Sequence, residues 1–108
     1  MHLTRIWRDH VAAGYSSKLA GVEIAGSDAR ALDEEITACV SAYVCRCMAV
    51  DERIERRLIE ISRALADKQA HSDETIAAYC ASLNELVIAV LAESRSTQSR
   101  KESTWRAT

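Results

Sequence analysis

The amino-acid sequence predicts an all-α fold: a helical bundle of three helices around a long central helix, or four if that helix breaks near Val50 and Asp51. Three observations lead there. The 108 residues include no Pro and three Gly, at Gly14, Gly21 and Gly26, so nothing after Gly26 interrupts a helix. An apolar stripe with helical spacing runs unbroken from Leu32 to Leu65. Helix-start chemistry recurs at Ser27 and Asp28 and again at Ser72 and Asp73.

In the first element, Leu3 to about Leu19, residues Leu3, Ile6, Trp7, His10 and Val11 fall at spacings of three and four and share a face. Thr4 is placed to cap it, and Gly14 to end or weaken it. Ala20 to Gly26, with glycines on either side of Val22 and Ile24, reads as an extended connector.

Ser27 and Asp28 then open the central helix, with Asp33, Glu34 and Glu35 near the positive end of its dipole. The stripe comprises Leu32, Ile36, Val40, Tyr43, Cys47, Val50, Ile54, Leu58, Ile61 and Leu65. A single helix from about Asp28 to Lys68, roughly 60 Å at 1.5 Å per residue, is the simplest expectation. Beyond Asp51 its other faces are charged, with Glu52 and Arg56, then Arg56 and Glu60, at i,i+4. Between Ala38 and Val50 a second face is apolar as well, formed by Val44, Cys45, Met48 and Ala49.

A turn of Gln69, Ala70 and His71 leads to Ser72 as the expected cap of the last helix. That helix carries Ile76, Tyr79, Cys80, Leu83, Leu86, Val87, Val90 and Leu91 on one face, to about Ser94. The short link implies antiparallel neighbours. Residues 1–94 are thus expected to form one helical-bundle domain, and 95–108 a basic, flexible tail.

Charge divides along the same line. Residues 1–93 hold ten basic and fifteen acidic side chains, net −5, whereas 94–108 carry Arg95, Arg100, Lys101 and Arg106 against Glu102, net +3. An acidic body argues against general binding of a phosphate backbone, so nucleic acid is not the expected partner. The exceptions to weigh are the tail and the arginines Arg53, Arg56, Arg57 and Arg63, which alternate with Glu52, Glu55 and Glu60. The N-terminal stretch has charges where a signal peptide would be apolar, and Ala38 to Val50 is too short to span a bilayer, so a cytoplasmic location is expected. In that setting Cys39, Cys45, Cys47 and Cys80 are reduced thiols serving as small core or interface side chains.

No cofactor or metal is expected. Cys45 and Cys47 lie two apart, about 200° around a helix, and cannot ligate one ion together. Arg5 and His10 have the Arg-x4-His spacing used by ribonucleases of the all-α HEPN family, a resemblance that implies a His general base and an Arg that holds phosphate. Here the pair opens the first helix, where the family places it late in the chain. His10 to Ser17 also resembles the phosphate-accepting helix of histidine-phosphotransfer domains, with Ala13 where such a site relies on Lys.

The functional expectation is a non-enzymatic protein-protein interaction module of the adaptor, anti-activator or inhibitor type. Small helical proteins of this composition are common among phage and mobile-element regulators. The returning last helix is about 22 residues long and covers only half of the central helix. Uncovered apolar surface on that scale marks an interface. The predicted partner-binding residues are Val44, Cys45, Met48, the interrupting Arg46, and the Trp105 and Arg106 of the tail, and the predicted partners are another protein and a second copy of this chain.

Overall fold

A computed structural model describes the backbone of residues 3–15, 24–45 and 50–107, and the side chains of 3–15, 28–45 and 50–95. Four α-helices account for most of it: α1 (Leu3–Ala12), α2 (Ile24–Val44), α3 (Glu52–His71) and α4 (Glu74–Ala107). The fold is all-α, as the composition required.

The single helix from Asp28 to Lys68 is not formed. Helix α2 ends at Val44, and Asp51 is extended, with its side chain accepting from the Ile54 N–H at 2.9 Å to cap α3. Glu52 and Glu55 in the first turn suit the dipole there. Folding back is favoured because one straight rod would leave half its stripe in water. After the break Ile36, Val40, Val50, Leu58, Ile61 and Leu65 are all buried in one core. The stripe keeps its phase through the break because both halves point inward.

The centre of the bundle is therefore α4, which packs against α1, α2 and α3. Residues Ile76, Tyr79, Cys80, Leu83, Leu86, Val87 and Val90 are each at most 4% exposed, matching the face read from the sequence. The stretch Glu74–Arg95 is long and apolar enough to cross a bilayer by length and composition, which the sequence reading did not expect. In this fold one face of it forms the core, while Ile88 is 49% exposed. The remaining open stripe of α4 is Ala78, Glu85, Ile88, Ala92 and Arg95.

Paired side chains give the helix directions. Arg57 holds both carboxylate oxygens of Glu35 at 2.7 Å, and Lys68 meets Asp28 at 3.3 Å, so α2 and α3 are antiparallel. Ser62 with Asn84 at 2.6 Å and Arg95 with Glu55 at 2.9 Å make α3 and α4 antiparallel. Helix α1 runs against α2, with His10 beside Asp33 and Leu3 near Val44. The described helices thus alternate up, down, up, down.

Several boundaries differ from expectation. Helix α1 stops at Ala12, where Gly14 takes φ +66°, the left-handed conformation that terminates helices. Val11, predicted on the buried face, is 61% exposed, because α1 docks along Leu3, Ile6, Trp7 and His10 and leaves Val11 on its flank. Helix α2 starts at Ile24, inside the expected connector, so Ser27 and Asp28 lie within it. Residues 16–23 are outside the described region. Asp73, one residue after the expected Ser72, caps α4 by accepting from the Ile76 N–H at 3.0 Å. The backbone of α4 continues past Ser94 to Ala107.

Candidate protein-docking groove

Two i,i+4 pairs create an opening at one end of the bundle. Leu3 and Trp7 on α1 and Val40 and Val44 on α2 together line a groove of about 180 Å³. Thr4, Ser41 and Cys45 complete its lining. Leu3 and Val40 are 4% exposed and form the floor, whereas Val44 is 54% exposed at the mouth. Among the described residues no carboxylate, imidazole or amine lines it, and these residues offer apolar contact and two hydroxyls. Its volume falls short of the roughly 300 Å³ at which small-molecule sites begin, and suits one large side chain.

A second opening of about 260 Å³ separates α2 from α3, lined by Ala38, Cys39, Ala42, Ile54, Leu58 and Ile61 and rimmed by the Glu35–Arg57 pair. Arg57 holds the Glu35 carboxyl below its ordinary value and is itself pushed further up by that bond.

Beneath the first groove, a polar network fastens α1 to the bundle. His10 is 7% exposed, its Nδ1 is 2.6 Å from Ser82 Oγ on α4, and its Nε2 is 3.8 Å from Asp33 Oδ2 on α2. The Tyr79 hydroxyl donates to the same Asp33 oxygen, and Thr37 donates to Oδ1 at 3.1 Å. Rings close over this centre: His10 and Tyr15 both stack on Tyr79, at 5.7 and 5.3 Å between centroids, and Trp7 lies 6.4 Å from His10. Burial raises the Asp33 carboxyl, but hydrogen bonds from His10, Tyr79 and Thr37 together outweigh it and hold the group below its ordinary value. Burial first, and then the bond to Asp33, raise the Tyr79 hydroxyl.

Ser82, His10 and Asp33 follow the order of a nucleophile relay. Ser82 lies in the third turn of α4, where the backbone N–H groups are engaged along the helix. The arrangement serves as a staple joining three helices.

The predicted partner-binding residues divide into three groups. Val44 and Cys45 are both exposed and sit together at the groove mouth. Arg46 and Met48 lie outside the described residues. Trp105 and Arg106 belong to the last turns of α4, and their side chains are likewise outside the described set. The sequence reading missed Leu3, Trp7, Val40 and Ser41 as walls of the groove, because it assigned α1 no register against α2. It placed Asp33 only by the helix dipole and Tyr79 only on the buried face of the last helix, and gave Ser82 no role. No local signal joins residues that distant, although three polar positions within or beside apolar faces are a hint.

Of the resemblances, Arg5 is exposed while His10 is buried and turned to Ser82. Five residues apart on a helix, the two side chains diverge by about 140°. Arg56 and Arg57 of the α3 cluster are paired with Glu52, Glu35 and Glu60. Cys80 is fully buried and Cys39 half-buried, and burial raises both thiols. Cys47 is outside the described residues. Among the described residues no group of three or more His, Cys, Asp and Glu is placed to hold a metal ion. Compared with family models, curated proteins and solved structures, the chain matches none.

Proposed function

We propose that this chain is a non-enzymatic helical interaction module that acts by receiving an apolar side chain of a protein partner between α1 and α2. One observation carries the reading: Val44 is 54% exposed at the mouth of an apolar groove with a buried floor. Isolated exposed apolar residues such as Val11 and Ile88 are ordinary on any protein surface. Val44 differs in standing over a depression walled by apolar side chains of two helices, the form taken by anchor pockets in protein interfaces. The groove's small volume and uncharged lining fit an aliphatic or aromatic anchor better than a polar metabolite.

The test uses Val44→Asp, which places a charge at the mouth without touching the floor. Its unfolding free energy should stay within about 0.5 kcal/mol of the wild type, as for other exposed positions. Association with a protein partner, in pull-down and in light scattering at tens of micromolar, should be lost. A partner retained equally by wild type and Val44→Asp would refute the assignment of this groove.

A further inference from the structure

Helix α4 is longer than the bundle it centres. Its 34 residues measure about 51 Å, against about 30 Å for α2 or α3, and nearly fill the molecule's 56 Å long axis. Its last described partner is Glu55, one turn from the start of α3, which pairs with Arg95. Helix α3 begins three residues before Glu55, so residues 99–107 carry the α4 backbone roughly 13 Å beyond the start of α3. A helix of that length is marginal in water without a surface to lie on. Residues 96–107 carry Arg100, Lys101 and Arg106 against Glu102, net +2, whereas the body from 1 to 93 carries net −5. It also holds Trp105, the one aromatic residue after Tyr79.

We infer that the docking groove of one copy receives the C-terminal segment of a second copy, with Trp105 as the anchor between α1 and α2. This rests on the docking reading above and names its occupant. The geometry is that of two bundles meeting end to end. The groove opens at the same end from which α4 emerges, because Leu3, Val44 and Arg95 all lie there. In a head-to-head pair each extension runs back along the other bundle. Trp105 lies about 15 Å past Arg95 and so about 10 Å past the start of α3, a reach that matches the last two turns of α2, where Val40, Ser41 and Val44 line the groove. Arg100, Lys101 and Arg106 then approach the acidic body of the other copy. The contact is made twice around a two-fold axis, so the assembly closes at two chains.

The full-length protein tests this by light scattering at tens of micromolar. Wild type should show twice the single-chain mass, weakening several-fold between low and high salt as opposite charges are screened. Val44→Asp spoils the groove and keeps the segment; Trp105→Ala spoils the segment and keeps the groove. Each alone should give the single-chain mass with unchanged helix content by circular dichroism. An equimolar mixture should recover two-chain particles, because one intact groove then meets one intact segment. Should wild type be monomeric, or Trp105→Ala remain dimeric, or the mixture fail to reassociate, the inference is overturned. If Val44→Asp abolishes association and Trp105→Ala does not, the groove still docks a partner and only this occupant is wrong. If neither substitution matters to any association, both readings fail.

Discussion

Tyr79→Phe isolates one hydrogen bond in the centre of the molecule. The ring is 2% exposed, so the substitution leaves the core filled and adds no cavity contribution. What is lost is donation from the hydroxyl to Asp33, a charged and partly buried acceptor that retains Thr37 at 3.1 Å. A hydrogen bond to a charged group contributes about 1.5–3 kcal/mol, so a loss of about 2 kcal/mol at pH 7 is expected. For a chain of this size that lowers the thermal midpoint by roughly 10 °C.

The effect should depend on pH. Asp33 is held below its ordinary value of 3.8 in the folded protein, so its contribution is present above that value and is lost as pH falls through the lower folded one. Removing the Tyr79 donor raises the folded value, so the mutant has less to lose on acidification. The gap between wild type and Tyr79→Phe should therefore be largest at neutral pH and narrow below about pH 3.8. Thermal or urea unfolding of both proteins at pH 7, 5 and 3 measures it. A gap below about 0.5 kcal/mol at pH 7, or one that is unchanged at pH 3, refutes the network as drawn.

Leu83→Ala, at a fully buried position on α4, should cost about 2–5 kcal/mol in urea unfolding, among the largest single losses in the chain. Asp51→Ala should cost about 1 kcal/mol, because it removes the cap on the Ile54 N–H, and Asp51→Asn should restore most of it. Gly14→Ala should cost about 1 kcal/mol from its φ of +66° alone, since a Cβ there meets no atom within 4 Å; thermal melting checks the value.

Much of the bundle was legible because burial leaves a periodic trace. The apolar faces of α3 and α4 and the inward stripe of α2 are the ones that periodicity assigned. The break between α2 and α3 was harder to read. A stripe in constant phase describes a straight rod and two halves folded together equally well, and only Asp51 with Glu52 and Glu55 marks a new helix start. The candidate groove was half legible. Val44 and Cys45 stood out as apolar residues off the main stripe, yet their walls on α1 depend on how two distant helices lie together.

The sequence by itself determined the helical class, the inward faces and the charge division between body and C-terminus, because each depends on the order of side chains along a chain of fixed helical pitch. Tertiary structure alone decided that α4 is the centre, that His10 joins Asp33 and Ser82, and that Val44 stands over a groove with Leu3 and Trp7. Those outcomes depend on which helices pack together and at what offset. That choice is made by the sum of many small contacts across the core, and no local stretch of residues records it.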